Sequence, residues 1–412
     1  MNKCRYKKIF FIVGFIFIII FFLSLILSHG ETLKHYLFAD TKDTFMDFFN
    51  SLYDTIGRKP YERGVIYPPI CYLIYFIFLR MIPIEQLTVS AREFRMLQGP
   101  TYAFFIYFLI TFLAFIFLTR KMKKGKELEK NLFTLLMIFS VPFLFAFERA
   151  NIIFLSLILL MFFFIFKDSN NKILKELSLV SLAFSATVKI YPAIFGIVLL
   201  KEKRYKEIFR VIIYGLILFF IPFLLFGGLT EFSTFFHNLT NTTNDFQQSL
   251  VINKLNFMAV VDLIINKLNL KSNIVPTIFK IIYVFVILIS CVNSLVTKSN
   301  YKRVLLLTLL MIIVPGISFT YTAIFLIIPV IMMIDDENKK TSIDYIYLIL
   351  LILIMFPNPI CLFENGDVNH FFTKVSWNTM IMSTCIIIMT FMLNIEIIIN
   401  IIKQNKKKLI DN

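Results

Sequence analysis

Three acidic side chains in one short stretch are the first residues with chemistry to offer. Asp43, Asp47 and Asp54 lie four and seven residues apart, a spacing that lets all three share one face of a helix, with Arg58, Lys59 and Arg63 close behind and Tyr67 preceding Pro68-Pro69. A carboxylate can take the proton of an acceptor hydroxyl, and an arginine can grip a phosphate with two parallel hydrogen bonds. The same residues also suit solvated charges on a surface helix with interfacial aromatics. A second knot, Phe147-Glu148-Arg149-Ala150-Asn151, falls between two apolar stretches, where ionisable groups are expensive and point to function, unless Glu148 and Arg149 merely satisfy each other in a turn. The third is Ala186-Thr187-Val188-Lys189-Ile190-Tyr191-Pro192, a single lysine before a proline break. A lysine near a helix end can simply snorkel, but a phosphate is an equally natural partner for this one. Amides and hydroxyls follow at Gln248-Ser249-Leu250 and Ile317-Ser318-Phe319-Thr320-Tyr321, groups that suit a sugar and also any loop.

The elements that must position these residues are apolar. Of the 412 residues 58% are hydrophobic and 17% charged, with 50 Phe, against about 25% charged in an ordinary soluble domain. Apolar runs long enough to cross a bilayer recur from end to end, so the chain reads as one all-α, polytopic transmembrane domain over 1–412. The first run, Ile9 to Leu27, follows Lys3, Arg5, Lys7 and Lys8 and lacks a small-residue cleavage pattern, which marks an uncleaved first span. A net charge of +16 raises the question of nucleic acid, but the basic residues sit in short clusters between apolar segments, as membrane topology requires. No nucleic-acid partner is expected. The cysteines Cys4, Cys71, Cys291, Cys361 and Cys385 and the four histidines show no metal-ligand spacing, and no Gly-rich phosphate loop, GxSxG elbow or HExxH helix occurs. Neither a bound metal nor a cofactor is expected, and a soluble nucleotide-dependent mechanism has no visible site.

Charge sets the threading. Arg120, Lys121, Lys123, Lys124, Lys126 and Lys130 form a basic loop that belongs on the cytoplasmic side. With the N-terminus inside, a single crossing at about 98–119 must then follow the first exit, which leaves 29–97 as a large first extracytoplasmic loop. The apolar run Pro69 to Pro83 within it, about 22 Å long as a helix, is too short for a 30 Å hydrocarbon core and is expected as a juxtamembrane or re-entrant helix. Further spans at about 132–147, 151–166, 177–189, 191–200, 210–226, 274–297, 303–316, 321–334, 343–357 and 378–402 make about twelve crossings with both termini inside. The two flanking Lys189 are short and broken by Pro192, as tolerated where backbone lines a protein cavity. The bias towards Ile, Lys, Asn and Phe hints at an AT-rich, bacterial genome, and a multi-pass chain from such a source is expected in the plasma membrane, with its site on the extracytoplasmic side.

The order of these motifs, Asp47 with Tyr53, Pro60-Tyr61, Tyr67-Pro68-Pro69, Arg149-Ala150-Asn151, Lys189-Ile190-Tyr191-Pro192, Gln248-Ser249-Leu250 and Ile317-Ser318-Phe319, resembles glycosyltransferase family 87 over roughly 40–330. That family of membrane-embedded transferases has the C-type glycosyltransferase fold and includes polyprenol-phosphate-mannose-dependent enzymes. The resemblance implies that Asp47 deprotonates the acceptor hydroxyl, that Arg149 and Lys189 hold the carrier phosphate, and that Tyr67, Tyr191 and Gln248 line the donor site. It also implies metal-independent chemistry, a lipid-linked sugar donor, and a glycan or glycolipid acceptor within the lipid environment. Asp43, Asp54, Asn151, Ser318 and Tyr321 complete the expected substrate-binding set. Relatives often carry Ser-Trp followed by histidine where this chain has Ser318-Phe319-Thr320-Tyr321, a departure at the acceptor side.

Two other classes compete with a transferase. A transporter or flippase of lipid-linked saccharides needs a similar polar cavity, but such proteins show broken helices in matching halves, and the break near Lys189 has no partner in the second half. A polysaccharide polymerase is expected to hold its arginines in later outer loops, whereas most outer arginines here lie before residue 97.

Overall fold

A computed structural model describes residues 3–37, 43–248, 254–268, 274–363 and 376–411. Among the described residues the regular structure is helical, apart from one antiparallel bridge between Lys254 and Phe319.

The chain opens with α1 (Lys3–Leu27), followed by the short α2 (Leu33–Tyr36), α3 (Met46–Asp54), a 3₁₀ turn at Pro60–Arg63, and α4 (Pro69–Leu79). Next come α5 (Ala91–Phe94) and the long α6 (Gln98–Met122), then α7 (Glu127–Ile138) and α8 (Val141–Arg149), which are bent by 55° at the break between them. Pro142 opens α8 where its missing N–H costs nothing, and its ring prevents α7 from running straight through. α9 (Ile153–Phe166) and α10 (Lys172–Val188) form an antiparallel pair, α10 being capped by Asn171, whose side chain accepts from the N–H groups of Ile173 and Leu174. A 3₁₀ helix at Tyr191–Phe195 leads into α11 (Gly196–Lys201), α12 (Tyr205–Phe220), α13 (Gly228–Gln248) and α14 (Phe257–Lys267). The last part comprises α15 (Ile274–Val296), α16 (Asn300–Ile313), a 3₁₀ helix at Thr320–Leu326, α17 (Ile327–Asp335), α18 (Ser342–Met355) and α19 (Trp377–Asp411).

Among the described residues six helical segments are long and apolar enough to cross a membrane: Arg5–Leu27, Gln98–Met122, Tyr205–Leu225, Ile274–Val296, Ser342–Leu362 and Trp377–Asn405, with the bent pair α7 and α8 passing the same test together. The chain is therefore a multi-pass membrane protein. The other crossings expected from the sequence coincide with shorter helices, among them α9 and α16 with 14 residues each and α10 with 17. The expected short helix after Pro68 is α4, and it is packed against α3, α6, α10 and α12.

Helices at the periphery and the centre differ in the way a lipid solvent dictates. α1 and α15 expose Ile12, Ile16, Leu23, Ile281, Phe285 and Leu288, whereas α16 buries every residue from Val304 to Ile313 between α15, α17 and α19. Charged groups collect at the two ends. At one end Lys123, with a fully buried side chain, donates to Glu129 and Asp335 at 2.6 Å each, and Lys7 adds a 2.8 Å bond to Glu129. This ties the end of α6 to the starts of α1 and α7 and to the end of α17. Close by, Lys302 bridges Glu396 at 2.5 Å and Asp344 at 3.2 Å, and the Tyr347 hydroxyl donates to Glu396 at 2.9 Å. The opposite end, where α8 and α10 finish and α9 begins, gathers the residues singled out above.

Candidate functional site

Asp47 occupies the first turn of α3 and Arg149 the last turn of α8, so each charge sits where the helix dipole favours it. Both helices reach the site through backbone that side chains rarely adopt. Phe45, which caps α3, has φ of 61°, and Ala150, which follows α8, has φ of 49°. At Ala150 the chain forms a Schellman turn: the Ala150 N–H donates to the Phe147 carbonyl at 2.8 Å and the Asn151 N–H to that of Ala146 at 3.1 Å. Glycine is the usual residue at such a position, and a methyl there stores about 1–2 kcal/mol. Strain of this kind is held only where the surroundings over-determine it. Here the Phe45 N–H is bound to the Glu148 carbonyl at 2.7 Å, which staples the start of α3 to the end of α8.

The turn turns Arg149 and Asn151 towards the same carboxylate. Arg149 donates through Nη2 and Nε to Asp47 Oδ1 at 2.6 and 3.2 Å, and through Nη1 to Asp43 Oδ2 at 2.7 Å. Asn151 Nδ2 donates to Asp47 Oδ2 at 2.6 Å and to the Tyr67 hydroxyl at 3.0 Å. Its orientation is fixed from the other side, because Asn151 Oδ1 accepts the Ile153 N–H at 2.9 Å and so caps α9. Both Asp47 oxygens are thus held, and Oδ2 keeps a lone pair for a proton. Arg149 makes no hydrogen bond to Glu148, so the alternative of a self-satisfied Glu148–Arg149 turn does not hold.

Lys189 ends α10 with extended backbone and is 8% exposed. Its ammonium lies 4.3 Å from the Tyr67 ring centre and 5.8 Å from that of Tyr321, an aromatic seat that holds a cation without neutralising it. Enclosure and the neighbouring Asp47 hold the Tyr67 phenol well above its ordinary pKa, so it stays neutral. Tyr321 lies beside Asn151 and against Phe145 and Phe319. Tyr191, which opens the 3₁₀ helix at Tyr191–Phe195, packs edge-on against Phe325 of the 3₁₀ helix at Thr320–Leu326, 5.9 Å between centres. Ser318 is fully buried, its hydroxyl has no hydrogen-bond partner among the described residues, and its carbonyl accepts the Leu255 N–H at 2.8 Å.

The structure therefore brings together Asp43, Asp47, Arg149, Asn151, Tyr67, Lys189 and Tyr321, with Tyr191 and Ser318 on the elements that carry them. Asp54 stands apart. It is at the far end of α3, 3.8 Å from Arg63, whose guanidinium lies over the Tyr53 ring. Burial pushes its carboxyl up to about 6 although Arg63 opposes the shift. The expectation that the three aspartates share a helical face is corrected, because α3 starts only at Met46 and Asp43 reaches Arg149 from the preceding turn. Gln248 is the last residue of α13, and its side chain falls outside the described residues. Among the described residues no group of three His, Cys, Asp or Glu side chains is placed to hold a metal.

Sequence reasoning named Tyr61 only as part of a motif and missed Glu231 and Asn238, which with it hold Tyr67 in place. The Tyr61 hydroxyl donates to the Tyr67 carbonyl at 2.9 Å, the Tyr61 N–H donates to Glu231 at 3.0 Å, and Asn238 donates to the carbonyls of Tyr61 and Val65 at 2.7 and 3.2 Å. These contacts join segments about 170 residues apart, and no local pattern announces them.

The family model for glycosyltransferase family 87 matches residues 66–320. No curated protein and no solved structure matches the chain significantly. The matched stretch takes in Tyr67, Arg149, Asn151, Lys189, Tyr191, Gln248 and Ser318, and begins after Asp43 and Asp47.

Proposed function

The chain belongs to glycosyltransferase family 87, and from that premise we propose that it moves a mannose-like hexose from a polyprenyl-phosphate carrier to a lipid-linked or cell-envelope glycan. The reaction takes place at the extracytoplasmic face of a bacterial plasma membrane, in a C-type fold, and needs no metal or other cofactor. The observation that carries this reading is the meeting of one carboxylate with two cations: Asp47 is bound to Arg149 at 2.6 Å and linked through Asn151 and Tyr67 to the seat of Lys189.

In the proposed mechanism the acceptor hydroxyl gives its proton to Asp47 Oδ2 as its oxygen attacks the anomeric carbon. The bond from that carbon to the phosphate oxygen breaks, and the lipid phosphate leaves with the electron pair, inverting the anomeric centre. Arg149 and Lys189 stabilise the charge that gathers on the departing phosphate, the kind of interaction that strengthens as the transition state forms. Tyr67, Tyr191 and Gln248 form the donor wall, while Asp43, Ser318 and Tyr321 supply polar contacts to the substrates; Asp54, paired with Arg63 away from this cluster, has no part in it. Asn151 keeps Asp47 oriented and leaves one lone pair of Oδ2 open to the acceptor.

The test is transfer by purified protein from a polyprenyl-phosphate hexose, compared with Asp47→Asn. Loss of about 10² to 10⁴ in turnover is expected when a general base is removed. Wild-type protein that moves lipid-linked saccharide across vesicles without transferring it, or undiminished transfer by Asp47→Asn, overturns the reading.

A further inference from the structure

Tyr67 has two jobs at the site: its ring seats Lys189 and its hydroxyl accepts from Asn151. Yet Tyr67 lies in a connection between a 3₁₀ turn and α4, with a left-handed Gly64 at φ of 77° in between, and nothing within that connection keeps it in register. What does so is α13. Asn238 donates both protons of its amide to this segment, to the Tyr61 and Val65 carbonyls, and Glu231 accepts the Tyr61 N–H. Tyr61 passes the constraint on, because its hydroxyl donates to the Tyr67 carbonyl at 2.9 Å while its ring is buried against Tyr72, Phe223 and Phe235.

The placement of Glu231 is itself built in. Gly227 and Gly228 both adopt left-handed backbone, at φ of 83° and 66°, which folds α13 back onto the segment. A Cβ on Gly227 would come within 2.6 Å of the Glu231 Cγ, so the turn leaves room for that one side chain. Glu231 is 1% exposed, a position a carboxylate keeps only with a hydrogen bond to show for it.

We infer that α13 is a strap that sets the position of Tyr67 and through it of Lys189, with Asn238 and Glu231 as positioning residues for the donor site. The inference rests on the reaction proposed above only for its kinetic consequence. Neither residue touches the reacting atoms.

The experiment uses the full-length protein with Asn238→Asp, which is isosteric but has no proton to donate and repels both carbonyls. Its first readout is limited trypsin digestion, since Arg58 and Arg63 are exposed beside and within the strapped segment and neither precedes a proline. Cleavage there, located by mass spectrometry, is expected to be about ten- to thirtyfold faster than in the wild type, matching two lost hydrogen bonds. The second is steady-state transfer: the donor KM rises by a similar factor while kcat stays within about threefold, a split that simple loss of folded protein does not give. Glu231→Leu repeats both effects and Glu231→Gln, which keeps an acceptor for Tyr61, restores wild-type behaviour; where one variant fails to accumulate, the other carries the test. Unchanged cleavage, or faster cleavage with unchanged KM, overturns the inference. A wild type that uses no lipid-linked donor removes the proposed reaction and leaves the cleavage comparison to decide the strap.

Discussion

Arg149→Lys keeps the positive charge of the site and removes its shape. In the native protein three nitrogens of one planar group reach two carboxylates, with bonds of 2.6 and 3.2 Å to Asp47 and 2.7 Å to Asp43. A lysine ammonium is a point donor on a flexible stem and can serve one of these carboxylates at a time. Hydrogen bonds to charged groups are worth about 1.5–3 kcal/mol each. The side chains of Arg149 and Asp47 are each 17% exposed and that of Asp43 34%, so solvent screening favours the lower part of that range. A net loss of about 2 kcal/mol in the organisation of the site corresponds to about a thirtyfold fall in kcat/KM. Arg149→Met also removes the charge and leaves two carboxylates without a counter-ion, for which about 3–5 kcal/mol is expected, with a clear drop in thermal stability. The assay is initial-rate transfer in detergent micelles at matched folded fraction, beside thermal unfolding of each variant. Arg149→Lys within threefold of wild type, or Arg149→Met no worse than Arg149→Lys, refutes the argument from geometry.

Asp54 gives a prediction with a defined pH window. Its carboxyl is raised from 3.8 to about 6 in the fold, so the protonated form is favoured there. Its contribution to stability is therefore full below about pH 4, is lost as pH rises to about 6, and is constant above that. Thermal unfolding across pH 4–8 should show that decline in the wild type and a flatter profile in Asp54→Asn; equal slopes would remove Asp54 as the cause. Lys123→Met leaves Asp335 and Glu129 short of their buried partner, and Lys7, 2.8 Å from Glu129 and 3.8 Å from Asp335, compensates only in part. A loss of about 3 kcal/mol in stability is expected, with transfer per folded molecule unchanged because this cluster lies at the end remote from Asp47. Reduced transfer at matched folded fraction would show that the two ends are coupled.

The helical character of the chain and the candidacy of Asp47, Arg149, Asn151 and Lys189, which the fold brings together, were legible in the sequence because charge inside apolar surroundings is rare and therefore informative. The bond network among them was less so. Asp43 reaches Arg149 from outside α3, and the chain enters that helix through left-handed backbone at Phe45, a conformation no side-chain pattern encodes. Crossing boundaries were blurred for a related reason. Hydropathy along 132–147 is continuous, but Pro142 divides it into two helices at 55°, and the helices packed within the bundle, such as α16, need not be as long as those that face lipid. The strap was invisible, since Asn238 and Glu231 act on backbone atoms of a segment remote in sequence, and one asparagine in a polar helix looks like any other.

The pairing of a single guanidinium with two acids means that, at rest, Arg149 itself presents little surplus attraction to anions in the surrounding fluid. Under the proposed reaction an incoming phosphodiester has to evict the Asp43 carboxylate from Arg149 Nη1, a 2.7 Å bond, and the burial of its lipid tail can supply the drive for that exchange where free sulfate or phosphate cannot. Once the sugar has gone, the return of Asp43 to its arginine would push the spent carrier outward. The occupied guanidinium would then serve as both a filter on entry and an ejector on exit.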